Sequence, residues 1–147
     1  MKKELLNEAK IKFLSLSANE AFARSVAAAF ISQCDPTVQE LSEIKTVVSE
    51  AVTNAIVHGY RNTVGTVEMT LRLYSGEVLY ISVRDKGRGI ENVEQAMTPL
   101  FTTAAEEERS GLGFSVMDSF TDKLRVRSAT GKGTTVVMEK KLSRRVK

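Results

Sequence analysis

The stretch Val67-Glu68-Met69-Thr70-Leu71-Arg72-Leu73-Tyr74-Ser75-Gly76-Glu77-Val78-Leu79-Tyr80-Ile81-Ser82-Val83-Arg84-Asp85 decides the fold. Val67, Met69, Leu71 and Leu73 alternate with Glu68, Thr70 and Arg72, a period of two that specifies a half-buried strand. Ser75-Gly76 marks a turn, and Leu79, Ile81 and Val83 form the return strand, ending at Asp85. One face of this hairpin is apolar and must be covered.

The cover lies upstream, where the period is that of a helix. Asp35-Pro36 reads as a cap and first-turn proline. The stripe Leu41, Ile44, Val48, Ala51, Val52 and Ala55 follows, and Gly59 stops it. Before it, Ser17-Ala18-Asn19-Glu20 has the capping-box pattern. That pattern opens a helix with the stripe Phe22, Val26, Ala29 and Phe30. Residues 9–16 read as a first strand with Ile11 and Phe13 on one face.

Downstream of the hairpin, residues 86–112 lose periodicity and are rich in Gly, Glu and Thr. A loop of that length in a small domain is usually functional. A short helix, 114–120, and strands 124–128 and 134–140 complete the chain, with a Gly-Lys-Gly turn between the strands. The order β-α-α-β-β-loop-α-β-β gives an α+β two-layer sandwich, a mostly antiparallel sheet covered on one face by helices. With 147 residues, residues 1–147 are expected to form one domain, with a lid at about 90–112 and a basic tail at 139–147.

Composition removes several function classes. Cys34 is the only cysteine, so neither an internal disulfide nor a cysteine zinc site can form, and a reducing cytoplasm is the expected home. No apolar run approaches the roughly 20 residues of a membrane helix. No signal-peptide pattern opens the chain. The net charge is +3. From Glu139 to Lys147 five residues are basic and one is acidic, so the basicity is read as belonging to the tail and direct DNA binding is not expected.

The common catalytic machineries are absent. His58 is the only histidine and no Gly-x-Ser-x-Gly elbow exists. Gly131-Lys132 lacks the frame of a Walker loop. Gly111-Leu112-Gly113 lacks the third glycine of a dinucleotide fingerprint, because Val116 stands there.

Four features remain. Glu50 and Asn54 are one helical turn apart beside the small residues Ala51 and Ala55. Asp85-Lys86-Gly87-Arg88-Gly89 places a carboxylate at a strand end, next to glycines that admit a flat ring. Arg109-Ser110-Gly111-Leu112-Gly113-Phe114 joins the long loop to a helix, where backbone N–H groups favour anions. Gly131-Lys132-Gly133-Thr134-Thr135 links the last two strands.

In this order and spacing the four motifs resemble the GHKL ATP-binding superfamily with its Bergerat fold. The resemblance spans Glu50 to Thr135, and the pattern of elements covers nearly the whole chain. Within the superfamily, the size and the stretches Asn19-Glu20-Ala21-Phe22-Ala23-Arg24, Glu43 to Ala55, Pro99-Leu100-Phe101-Thr102-Thr103 and Glu108-Arg109-Ser110-Gly111 are similar to the stand-alone anti-sigma serine kinases. The similarity is to the sporulation anti-sigma F factors, with the general-stress anti-sigma B kinases as nearest relatives.

The resemblance implies a homodimeric anti-sigma factor and ATP-dependent protein serine kinase. Such a protein holds a sporulation sigma factor of the sigma-F type. It uses Mg²⁺ and ATP, leaving ADP, to phosphorylate a serine of its anti-anti-sigma factor. It implies Glu50 as general base, Asn54 as Mg²⁺ ligand, Asp85 as receptor of the adenine amino group and Thr134 as its support. Gly87 and Gly89 would lie close to the base. Ser110, Gly111, Leu112 and Gly113 would wrap the phosphates, Arg109 would hold the γ-phosphate, and Arg24 would hold partners. Thr102 and Thr103 fall in the lid. Two alternatives stay open: a nucleotide-switched module that only sequesters a sigma factor, and a detached histidine-kinase catalytic domain. The dimer is expected through the amino-terminal strand and helix.

Overall fold

The computed structural model describes residues 3–97 and 110–143. The elements run β1 (Leu5–Leu14), α1 (Ala18–Ile31), a 3-10 turn (Ser32–Cys34), α2 (Val38–Thr53), a π turn (Asn54–Gly59), β2 (Thr66–Tyr74), β3 (Val78–Asp85), α3 (Val93–Ala96), α4 (Ser110–Phe120), β4 (Lys123–Ala129) and β5 (Gly133–Lys141). The five strands form one sheet in the order β1-β2-β3-β5-β4. Every neighbouring pair is antiparallel. The α+β two-layer expectation holds. No helix among the described residues is long and apolar enough to cross a membrane.

The hairpin forms as the alternation demands, with Leu71 opposite Ile81 and Met69 opposite Val83. The turn between them uses left-handed backbone at Gly76 (φ 82°) and Glu77 (φ 59°). The inward residues Val67, Met69, Leu71, Leu79, Ile81, Val136 and Met138 meet Ile44, Val47, Val48, Ala51 and Val52 of α2, all buried. Burying a side chain of this size contributes about 1.5–3 kcal/mol. That burial is the main force fixing α2 against the sheet.

The chain departs from the sequence reading in four places. First, β1 starts earlier and ends at Leu14, because Ser15 leaves the ladder to exchange bonds with Gly65. Its N–H donates to the Gly65 carbonyl at 2.8 Å, and its Oγ accepts from the Gly65 N–H at 2.9 Å. Second, α1 fully buries Ala23, Ala27 and Ile31; of the expected stripe, Val26 and Phe30 pack partly buried against the core while Phe22 and Ala29 are exposed. Small residues let α1 approach α2 closely. Phe22 is left 48% exposed, its ring edge-on to Phe13 at 6.3 Å.

Third, Ser17 makes no side-chain cap bond. The capping box sits instead at Thr37 and Glu40, which satisfy each other's N–H groups at 3.0 and 2.9 Å. Asp35 takes left-handed backbone (φ 49°) and ends the 3-10 turn, so it does not cap α2. Fourth, α4 begins at Ser110, placing Ser110 to Gly113 in its first turn rather than in a loop.

The last strand continues into the expected tail. Lys140 lies in β5 and donates from Nζ to Glu43 Oε1 at 2.9 Å and to the Phe120 carbonyl at 2.8 Å. It thereby ties α2 and the end of α4 to the sheet. Hydrogen bonding to Lys140 holds the Glu43 carboxyl below the ordinary range.

Candidate functional site

The site is assembled at one end of the sheet, where β3, β5, the π turn and α4 converge. The π turn continues α2 with one more residue in its hydrogen-bonded ring. The Tyr60 N–H reaches back five residues to the Ala55 carbonyl at 3.1 Å, the bond pattern of a π turn. Such turns often sit at functional sites. This turn carries Asn54 at its start and Gly59 at its end.

Asp85 ends β3 facing that turn and is only 4% exposed. Gly59 makes the space: a β-carbon there would lie 2.7 Å from the carboxyl carbon of Asp85. Burial pushes the Asp85 carboxyl above its ordinary range, opposed by hydrogen bonds from the backbone N–H groups of Gly87 and Thr134. The Gly87 N–H donates to Oδ1 at 2.9 Å. A carboxylate can accept about four hydrogen bonds, so acceptor capacity remains for a ligand donor.

The segment after Asp85 is knitted from three sides. The Arg88 N–H donates to the Gly59 carbonyl at 2.8 Å, and the Gly131 N–H donates to the Arg88 carbonyl at 2.7 Å. Arg88 Nε donates to the His58 carbonyl at 2.8 Å. The Ile90 N–H donates to Ser128 Oγ at 2.7 Å. Gly87 and Gly89 are required here by contact: a β-carbon at Gly87 would sit 1.8 Å from the Gly59 carbonyl, and one at Gly89 would sit 2.0 Å from the Ala129 carbonyl.

Thr134 is buried and lies opposite Asp85 in the β3–β5 ladder. Its hydroxyl meets Ser128 Oγ at 2.8 Å. At the other end of the site, Gly113 of α4 faces Glu50 of α2, and a β-carbon on Gly113 would lie 3.1 Å from Glu50 Oε2. Glu50 and Asn54 are both partly exposed. Among the described residues no group of three or more His, Cys, Asp or Glu side chains gathers to hold a metal. Asn54 offers one oxygen, and Mg²⁺ is commonly held by one or two protein ligands plus substrate phosphates and waters. This donor set fits Mg²⁺ that arrives with a polyphosphate.

The structure thus brings Asp85, Gly87, Gly89 and Thr134 together, and separately Glu50 and Gly113, with Asn54 on the turn between. Ser110, Gly111 and Leu112 lie in the same first turn of α4 as Gly113. Arg109, Thr102, Thr103 and most of the expected lid lie outside the described residues. Arg24 stands apart on α1, where its Nη1 donates to Glu20 Oε1 at 3.0 Å and Ser49 Oγ at 3.3 Å. That bond reaches the residue next to Glu50.

Three contributors escaped the sequence reading. Gly59 was read only as a helix stop. Tyr60 accepts from the Lys86 N–H and donates to the Thr66 carbonyl, both at 2.7 Å, anchoring the root of the Asp85 segment. Ser128 bridges that segment to Thr134. The adjacency of Gly59 and Tyr60 to the Asn54 motif was the available signal; Ser128 had none.

Comparison with known proteins places this geometry. Residues 13–140 match the family model described as a histidine kinase-like ATPase domain. The chain is 54% identical over 138 residues to an anti-sigma F factor of Thermoanaerobacter sp. (strain X514), covering 93% of this chain and 95% of that one. It is 52% identical over 139 residues to an anti-sigma F factor of Bacillus licheniformis, covering 94% of each. Among solved structures, the RsbU and RsbW domains of Rv1364c from Mycobacterium tuberculosis superpose with a TM-score of 0.70 at 16% identity. That match covers 97% of this chain and 34% of that one. At that identity the likeness is one of fold.

Proposed function

Because the chain belongs to the anti-sigma F factors, within the histidine kinase-like ATPase domain family, we propose that it is a cytoplasmic protein serine kinase. In this reading it inhibits a sigma-F-type factor and uses Mg-ATP to phosphorylate a serine of the anti-anti-sigma factor. The observation that carries the reading is the approach of Gly113 to Glu50 Oε2, which puts a carboxylate beside the helix start that would face phosphates.

Bound Mg-ATP supplies the transferable phosphoryl group and neutralises charge on it. Everything else is asked of the chain. Asp85 accepts a hydrogen bond from the adenine amino group, supported by Thr134. Guanine carries a carbonyl at that ring position and would meet the carboxyl oxygen to oxygen. Gly87 and Gly89 let the segment after Asp85 pack directly on the Gly59 and Ala129 carbonyls, and their backbone lies close to the adenine. Asn54 offers its side-chain oxygen to the metal. Ser110 to Gly113 present backbone N–H groups of the first turn of α4 to phosphate oxygens. Glu50 accepts the proton of the incoming serine hydroxyl, a step worth about 10²–10⁴ in rate. Arg109 is assigned to the γ-phosphate as charge develops there.

Arg24 is the proposed partner-binding residue. Its side chain is 38% exposed and held by Glu20, so a partner carboxylate can take it over without disturbing a core. The proposed homodimer uses the end of β1 and the start of α1. Leu14, Leu16 and Phe22 are 51, 46 and 48% exposed there, more apolar surface than a free end needs.

The nucleotide-switched sequestering module without kinase activity remains the second reading, and the Glu50–Gly113 approach favours the kinase. Calorimetry with Mg-ATP combined with a phosphotransfer assay of Glu50→Gln separates them. Binding retained with transfer lost supports the kinase. Transfer at the wild-type rate removes Glu50 from the base role.

A further inference from the structure

The helices cover one face of the sheet, and the other face is strongly basic. Alternate residues of the strands point there: Lys10 and Lys12 on β1, Arg72 on β2, Arg84 on β3, and Arg125 and Arg127 on β4. The acids on this face are fewer: Glu8, Glu68 and Glu139. Glu8 is taken by Arg72 at 2.6 Å, Glu68 lies 3.8 Å from Lys12, and Glu139 lies 3.8 Å from Lys3. The basicity of the chain is therefore not confined to its tail.

Along this face an open groove of about 430 Å³ runs from Lys10 and Arg72 to the nucleotide end, where its lining includes Arg84, Arg127, Lys132 and Thr135. Arg84 is directly opposite Thr135, and Thr135 is directly opposite Arg127. The two arginines thus sit two strands apart, about 10 Å by sheet spacing. Both are exposed, as is Lys132 on the β4–β5 turn. Among the described residues none of the three has an ion pair. Glu68, the cross-strand neighbour of Arg84, offsets only part of this charge, and an anion placed between Arg84 and Arg127 on the side away from Glu68 relieves the repulsion that remains.

We propose that this groove is a docking site for a short acidic stretch of a protein partner, with two carboxylates engaging Arg84 and Arg127 and hydroxyl contacts from Thr135. Arginine presents a planar fork that matches a carboxylate in two hydrogen bonds. A second copy of this face carries the same charge and is repelled. A nucleic-acid backbone is a continuous track of anions. It would run onto Glu68, which lines the same groove opposite Arg84. A short acidic run ends before reaching it. The groove adjoins the adenine site, since its lining includes Asp85, Arg84 precedes Asp85 and Thr135 follows Thr134; its arginines point to the sheet face opposite the helices.

The test is fluorescence anisotropy of labelled hexaglutamate, and of a labelled six-nucleotide thymidine strand, titrated with the full chain at low salt. Wild type is expected to bind the peptide more tightly than the nucleotide strand. Arg84→Gln with Arg127→Gln should weaken peptide binding about tenfold or more. Lys123→Gln with Arg125→Gln removes equal charge from the same strand edge outside the groove and should change binding less than about twofold. Melting temperature and Mg-ATP affinity serve as folding controls for both variants. No peptide binding, equal weakening by the two double variants, or tighter binding of the nucleotide strand overturns the proposal.

Discussion

The carboxyl group of Asp85 rests against the bare α-carbon of Gly59, so close that a β-carbon on Gly59 would meet the carboxyl carbon at 2.7 Å. The end of the α2 helical segment and the end of β3 are thereby locked together, and the lock holds a buried carboxyl at the rim of the proposed adenine site. Its consequences can be measured.

Asp85→Asn should stabilise the nucleotide-free protein while destroying adenine recognition. Burial raises the Asp85 carboxyl above the ordinary range. A group raised on folding contributes stability that is full below its unfolded value near 3.8 and is lost as pH rises through the folded value. At neutral pH the buried carboxylate therefore costs stability, which a neutral amide relieves. The expected outcome is a higher melting temperature for Asp85→Asn at pH 7. The gain should shrink as pH falls toward 4. Calorimetric scans across pH check the sign, and ATP titration checks the loss of binding.

Gly87→Ala should damage both folding and binding. Its β-carbon would fall 1.8 Å from the Gly59 carbonyl, which is backbone and cannot swing aside. The strain is expected to cost about 1–3 kcal/mol. Chemical denaturation should show the loss. Gly76→Ala is a useful contrast: nothing lies near its β-carbon, and only its positive φ of 82° opposes the change.

Lys140→Met should loosen the tie between α2, α4 and β5. It leaves Glu43 and the Phe120 carbonyl without the ammonium, at a cost of about 1.5–3 kcal/mol. The Glu43 carboxyl is lowered by its bond to Lys140. Its contribution is therefore present above about 4.5 and lost as pH falls through the lowered folded value. The destabilisation measured by denaturant should accordingly fade in strong acid.

Size-exclusion chromatography with light scattering should find a dimer at micromolar concentration. Phe22→Glu with Leu16→Glu should shift it toward monomer, because charge on two apolar surface positions opposes their burial. A wild-type monomer under those conditions would remove the dimer from the account.

Much of the fold was legible because the hairpin from Val67 to Asp85 and the stripe of α2 have clean periods and only one way to bury them. The α1 stripe was right at Val26 and Phe30, which pack against the core, and missed the fully buried Ala23, Ala27 and Ile31. Ala23 and Ala27 matter for the closeness they permit, and hydropathy weighs that poorly. The cap of α2 was hidden by Pro36, which drew the cap to Asp35, two residues before the Thr37-to-Glu40 box. The motifs of the site were visible at Glu50, Asn54, Asp85 and the glycines. The supports were not: Tyr60 and Ser128 act through hydroxyls that reach across the fold, which spacing along the chain does not encode. The basic face escaped notice because its cations are spread over strands distant in sequence and gather only when those strands pair.

The most direct test of the central claim is a phosphotransfer assay with γ-labelled ATP, Mg²⁺ and the anti-anti-sigma factor, run beside Asn54→Ala. The account predicts label on a serine of that substrate with wild type and none with Asn54→Ala. Tight Mg-ATP binding by wild type with no label on the substrate would contradict it and leave the sequestering module in its place.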